Sequence, residues 1–391
     1  MMEVARPKAL LATPVLLAGG TEAQTLTLAT VLAAAGWDVA VCCYHESDPA
    51  VVDAFENEGA QVVLLGLSRR LSLIRVAEKL RTAFRALHPD VVHVQYLAPG
   101  FTAVLAARLA GVRSVFATVH QPGSAYGRRE RLLVRCASQL CTRFFSVSLA
   151  VERSWFGDAG LFDPDHPQTR RHHGTIYNAV AVAEIIESAR DVDRAALRGG
   201  MGITADAPVV GFVGRLRREK GLDVLIRALP AVVVSFPGTR LLVVGNGPEA
   251  GALRDLARSA GVDERVVWMG MRDKLETRRL FAAMDLAVVP SRFEGFGLAA
   301  AEAQAAGLPV VAADVDGLRE VIDDGETGLL VPPEDPGAFA KAIVRLLGDP
   351  GAARELGRQG RIRVGRLFPV ERFARTTLTF YDNALSSRSA R

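Results

Sequence analysis

The chain has 391 residues, 49% of them hydrophobic and 23% charged, and a formal net charge of +4. That length allows two domains with separate cores, and the composition excludes a disordered or fibrous protein. No run reaches the ~18 apolar residues of a membrane span. Cys42, Cys43, Cys136 and Cys141 form neither a disulfide framework nor a metal knuckle, and read as buried thiols of a reducing cytoplasm.

The first apolar stretch, 9–17, follows Arg6 and Lys8 and mimics a short signal peptide. A helical segment at 22–35 and an apolar run at 37–43 follow at βαβ spacing, so it is read as a first strand. Gly19 and Gly20 close that strand with a tight turn, which lets backbone approach a phosphate or sugar, and Thr21-Glu22 opens the helix. Further strands are predicted at 61–65, 89–95, 114–120 and 143–148, the last taken to complete the first domain. Helices are predicted at 71–87, 102–110 and 128–140. His93 and His120 fall toward the carboxyl ends of parallel strands, the edge where open α/β sheets bind ligands.

Between Gly66 and Phe145, thirteen basic residues face three acids. Helices 71–87 and 128–140 lie in this window. A basic amphipathic helix suits an anionic bilayer as well as water. The basic stretch lacks the interleaved aromatics of a nucleic-acid site. Segment 155–173 reads as a surface excursion. It holds Asp163, Asp165, His166, His172 and His173, but no element fixes them, so no metal site is assigned.

Strands at 209–214, 241–244, 266–269, 286–289 and 310–312 alternate with helices beginning at 222, 274 and 298, giving a second parallel sheet. Helices at 336–347, 352–364 and 369–385 follow, then a polar SSRSAR tail expected to be disordered. Arg215 and Lys220 stand at the carboxyl edge of strand 209–214. Two fixed cations there suit a diphosphate that gains charge as it leaves. Arg217, Arg218 and Glu219 read as solvated. After strand 286–289 comes the turn Glu294-Gly295-Phe296-Gly297 and an Ala-rich helix. Such a turn aims backbone N–H groups and the positive helix end at an anion. Glu294 and Glu302 bracket it with seven residues between them, and a carboxylate accepts two hydroxyl hydrogen bonds at once. These parts suit a nucleotide-sugar site.

The stretch E-G-F-G-L-A-A-A-E (294–302) resembles the E-x7-E motif of retaining glycosyltransferases of the GT-B fold, specifically glycosyltransferase family 4. G-R-L-R-R-E-K-G (214–221), V-V-G-N-G-P-E (243–249) and D-D-G-E-T-G-L-L-V-P-P (323–333) resemble the same family, in its order. The carboxy-terminal half carries the stronger resemblance. In the other half, A-G-G-T-E-A-Q (18–24) is similar to the family's G-G-x-E loop, and F-A-T-V-H-Q (116–121) to its T-x-H-D segment, with Gln121 replacing Asp. I-Y-N-A-V (176–180) resembles its P-N-G-V segment, and Asp316 replaces the first Gly of its G-G-x-x-E turn.

The resemblance implies an α/β protein of two Rossmann-like, doubly wound parallel-sheet domains facing a central cleft. Residues 1–177 would bind the acceptor and 178–368 the donor, with the helix within 369–391 crossing back to the first domain. Glu302 would hold the ribose diol, and Arg215 and Lys220 the diphosphate. Glu294 and the amides of Phe296, Gly297 and Leu298 would hold the sugar hydroxyls and β-phosphate. Gly245 and Met271 would lie near the base. Gly20 and His120 would serve the donor sugar, with Gly19, Gly20 and Glu22 toward the acceptor. His93 is assigned to structure or acceptor contact.

The implied activity is retaining transfer of a hexose or N-acetylhexosamine, from a UDP-sugar first and GDP-mannose next. The acceptor is a hydroxyl of a glycan, lipid-linked or small molecule. No cofactor, metal or nucleic acid is expected. The Asp-x-Asp tripeptides at Asp163, Asp191 and Asp314 lack a strand-end setting. The expected location is cytoplasmic, with peripheral contact at the inner face of the membrane. The alternatives are an epimerase or phosphorylase of the same shape, or an inactive nucleotide-sugar-binding module.

Overall fold

The computed structural model describes residues 6–95, 101–163 and 172–389. The chain forms two compact units: Met1–Ala179 with Val370–Arg391, and Val180–Pro369. Each is built on one sheet whose strands are all parallel.

The first sheet contains β1 (Lys8–Thr13), β2 (Asp38–Cys43), β3 (Gln61–Leu64), β4 (Val91–Gln95), β5 (Ser114–Val119), β6 (Arg143–Ser146) and β7 (His173–Thr175). Their order is β3-β2-β1-β4-β5-β6-β7. β4 and β5 are buried at every position, and β1 and β2 at all but the first. Strands covered on both faces read as near-continuous apolar runs, which is why these were visible in the sequence. The second sheet contains β8 (Val209–Val213), β9 (Arg240–Val244), β10 (Val266–Gly270), β11 (Leu286–Val289), β12 (Val310–Ala313) and β13 (Leu329–Val331), in the order β10-β9-β8-β11-β12-β13. The strand order reverses between β1 and β4 in one unit and between β8 and β11 in the other. At such a reversal the loops leaving neighbouring strands part and open a crevice at the carboxyl edge. The two doubly wound parallel sheets are those the sequence predicts.

The helix Val370–Ser389 packs on the first unit. Tyr381 is fully buried, edge-on to Trp37 at 5.2 Å and to Phe116 at 5.3 Å. Phe380 meets Phe145 at 5.2 Å and Phe162 at 4.6 Å. Burial of each ring contributes about 1.5–3 kcal/mol.

Several expectations are corrected. β6 does not complete the first sheet. β7 pairs beyond it, Phe144 opposite His173 and Ser146 opposite Thr175. β7 has no apolar alternation, and the buried Glu152 holds it instead. That carboxylate accepts from the Thr175 hydroxyl at 2.7 Å and the Gly160 N–H at 3.0 Å, and lies 2.7 Å from His173 Nδ1. Cys136 is exposed while the other three cysteines are buried. The helix Arg128–Leu140 buries Val134, Ala137 and Ser138, and Cys136 lies off that face. The SSRSAR tail begins inside the last helix, with Ser386 Oγ donating to the Asp382 carbonyl at 3.1 Å. Helices Pro49–Asn57, Val182–Arg190, Arg194–Gly200 and Ala250–Ser259 are present although the sequence reading had none there.

Asp165 and His166 lie outside the described residues. His172 Nε2 contacts the Ser138 carbonyl at 2.6 Å, and no metal-ligand group forms among the described residues. Among them too, no helix is long and apolar enough to cross a membrane.

Candidate functional site

In the second unit the chain leaves β8 through Gly214 and Arg215, forms a 3-10 turn at Arg218–Lys220, and enters the helix Leu222–Ser235. Gly221 joins them with φ +67°, and a Cβ there would run into the Pro290 carbonyl oxygen, so the loop after β8 and the loop after β11 touch backbone to backbone. The second loop ends at Gly297 (φ +102°), the N-cap of helix Leu298–Ala305. No side chain caps this helix, and its first-turn N–H groups form an electropositive end.

The reversal between β8 and β11 brings Lys220 and Glu294 together. Lys220 Nζ lies 2.6 Å from Glu294 Oε1, and the Ser291 hydroxyl donates to the same oxygen at 2.8 Å. The side chains are 29% and 11% exposed. Arg215 is half-buried and makes no ion pair or side-chain hydrogen bond with a described residue. Glu302 is half-buried on helix Leu298–Ala305, where burial pushes its carboxyl up against the opposing pull of Lys274 and Arg278. Phe296 is buried edge-on to Phe368 at 5.0 Å. The Gly245 N–H donates to the Gly270 carbonyl at 2.8 Å, which ties the loop after β9 to the loop holding the exposed Met271.

In the first unit Gly19 is the extended N-cap of helix Gly20–Ala34, and Glu22 in its first turn is buried. Gln24 on the same helix donates to the Ala179 carbonyl and accepts from the Ala179 N–H, both at 2.8 Å. His93 is buried within β4. Its Nδ1 meets the Tyr381 hydroxyl and its Nε2 the Thr118 hydroxyl, each at 2.8 Å, so both ring nitrogens are engaged. His120 Nε2 lies 3.1 Å from Gln95 Oε1, and burial pushes this imidazole down to about 4, so it is neutral near pH 7. A small cavity is lined by both histidines, Gln95 and Thr377.

The sequence reading missed Ser291, Gln95 and Tyr381. Ser291 precedes Glu294 by three residues in one loop, a spacing that suits a local contact. Gln95 pairs in register with Thr118, two residues before His120, which only the β4–β5 alignment reveals.

Residues 18–166 match Glycosyltransferase Family 4, and residues 207–349 match Glycosyl transferases group 1. The chain is 42% identical over 175 residues to the D-inositol 3-phosphate glycosyltransferase of Nocardia farcinica, covering 43% of this chain and 39% of that protein. It is 29% identical over 403 residues to the glycogen synthase of Mycobacterium tuberculosis, covering 94% and 92%. It thus spans well under half of the first relative and nearly all of the second. The HepE protein of Anabaena, solved with UDP and glucose, superposes with a TM-score of 0.82 at 20% identity, over 96% of this chain and 100% of that one, and shares its fold. With the two family models matched over residues 18–166 and 207–349 and the two parallel sheets in place, the chain belongs to the group 1, family 4 glycosyltransferases of GT-B fold.

Proposed function

We propose that the chain moves a hexose or N-acetylhexosamine from a nucleotide-diphosphate sugar to an acceptor hydroxyl with retention of configuration. The observation that carries this reading is the contact of Lys220 with Glu294 at the β8–β11 reversal, beside an uncapped helix N-terminus. Arg215 and Lys220 neutralise the diphosphate, and the amides of Phe296, Gly297 and Leu298 take its β-phosphate. Glu294 accepts from sugar hydroxyls and Glu302 from the ribose diol. Gly245 and Met271 border the base. His120 and Gly20 serve the donor sugar, with Gly19 and Glu22 on the acceptor side.

The acceptor oxygen bonds to the anomeric carbon as the carbon–phosphate oxygen bond breaks. The acceptor proton passes to that phosphate oxygen on the same face, so no protein nucleophile is used. Two cations do the neutralising, and the reading assigns no divalent metal. UDP is the first nucleotide to test, since the Anabaena protein was solved with it, and GDP the second.

The acceptor is a glycan, a lipid-linked saccharide or a small molecule. Leu73, Ile74, Leu132 and Leu133 are 41–73% exposed on the two basic helices. That supports a lipid-linked acceptor met at an anionic membrane surface on the cytoplasmic side.

The test is thermal stabilisation by UDP, GDP, ADP and TDP with and without magnesium. A rise with one nucleotide that ignores magnesium supports the reading and names the donor class. No rise with any of them removes it.

A further inference from the structure

Lys220 and Glu294 sit on loops that leave different strands, and something must set the spacing of those loops beyond the sheet. β8 and β11 pair through Val210 with Leu286 and Gly211 with Ala287, well short of either side chain. Beyond the backbone contact of Gly221 with Pro290, Arg292 supplies the ties. Its backbone N–H donates to the Glu219 carbonyl at 2.9 Å. Its guanidinium forks onto Asp223, Nη1 to Oδ1 at 2.9 Å and Nη2 to Oδ2 at 3.0 Å, while Nη1 also reaches the Arg218 carbonyl at 2.6 Å. Nε donates to Glu334 at 2.8 Å. The residues tied are 218, 219 and 223, which enclose Lys220. The Asp223 carboxyl is held below its usual range by the guanidinium.

We propose that Arg292, with Asp223 as its partner, is a positioning residue that fixes Lys220 against Glu294. The proposal rests on the nucleotide-sugar reading only for its purpose, since the geometry stands without a ligand. A planar, five-donor fork can hold a carboxylate and a carbonyl at once, which a lysine at 292 cannot do. A diphosphate on Lys220 and sugar hydroxyls on Glu294 require one spacing between the two groups, and a misplacement of about 1 Å costs about 10²-fold in rate.

The test reads Lys220 directly. The chain has five lysines, Lys8, Lys79, Lys220, Lys274 and Lys341, each separable by peptide mass spectrometry after brief amine acetylation. Glu294→Gln, which removes the pair itself, sets the upper limit of Lys220 labelling. Arg292→Gln and Asp223→Asn are expected to raise Lys220 labelling several-fold toward that limit and leave the other four lysines unchanged. Lys220 labelling at the wild-type rate in either folded variant overturns the proposal. If Arg292→Gln unfolds and all five lysines label, Asp223→Asn decides, since it keeps an oxygen acceptor.

A second readout is the double-mutant cycle for turnover of the nucleotide sugar that the thermal panel selects. Arg292→Gln should cost nothing further in a Lys220→Ala background, whereas additive losses overturn the positioning role. A blank nucleotide panel would sink the proposed function and leave the labelling result standing, so the two failures are distinguishable.

Discussion

Glu294 Oε1 receives both the Lys220 ammonium, at 2.6 Å, and the Ser291 hydroxyl, at 2.8 Å. A cation so placed should matter most when a departing phosphate gains charge. Lys220→Ala is expected to lower kcat by about 10²-fold, the loss typical of one preorganised charge-stabilising group, with a smaller change in nucleotide Kd. Steady-state turnover beside calorimetric binding would show this, and an unchanged kcat would remove Lys220 from the machinery.

Glu302 is expected to act on binding. Glu302→Ala should weaken nucleotide affinity by about 10–100-fold, the equivalent of about 1.5–3 kcal/mol for hydrogen bonds to a charged group. Its carboxyl is raised by burial, so it takes up a proton earlier than an exposed glutamate as pH falls. Affinity should decline on the acid side, and Glu302→Gln should flatten that decline in titrations at successive pH values.

Gly297 holds φ +102°, where a Cβ would also crowd Leu318. Gly297→Ala should cost about 1–2 kcal/mol in backbone strain alone and disturb the amides that follow. Denaturant melts would register the loss of stability. The thermal rise given by nucleotide should shrink in the same variant, and if it persisted in full the helix end would not be an anion site.

Burial lowers His93 to about 3 and His120 to about 4, from an ordinary value near 6.5. The unfolded chain therefore binds more protons than the folded one below pH ~6.5. The stability these neutral rings confer is complete above that pH and drains away as pH falls toward 4 and then 3. Urea midpoints should drop between pH 7 and pH 4, less steeply in His120→Asn. A flat profile would contradict the burial of these rings.

Tyr381→Phe would strip His93 Nδ1 of its hydroxyl partner inside the core. A loss of about 1–3 kcal/mol is expected from the unsatisfied group. Equilibrium unfolding measures it, and nucleotide Kd should not move.

Five strands of the second sheet were legible because each carries an apolar run, and the candidate site residues Arg215, Lys220 and Glu294 sit in the loops that follow β8 and β11; the three-residue β13 was not predicted. β8, β9, β11 and β12 needed no tertiary information. β7 was not legible, since His173–Thr175 has no period of its own and depends on β6 and Glu152. The same limit applies to side-chain partnerships. His93 and Tyr381 are 288 residues apart in sequence, and nothing local to either announces the other. Arg292 lies beside the E-x7-E stretch, yet its partners Asp223 and Arg218 become visible only when the loop after β8 is placed beside it. Composition hid Cys136, because helix facing is decided by neighbours and not by the thiol's preference for burial.

The helix Val370–Ser389 closes the aromatic wall of a sheet whose strands were all made before residue 176. The second unit, roughly 190 residues, is synthesised in between. At about 5–20 residues per second the ribosome spends about 10–40 s on it. Through that interval Trp37, Phe116 and Phe145 have no Tyr381 or Phe380 to cover them. The second unit is continuous and can complete its core first, so the order of folding should run opposite to the order of synthesis. A nascent chain stalled before residue 370 should offer chaperones the first unit and not the second.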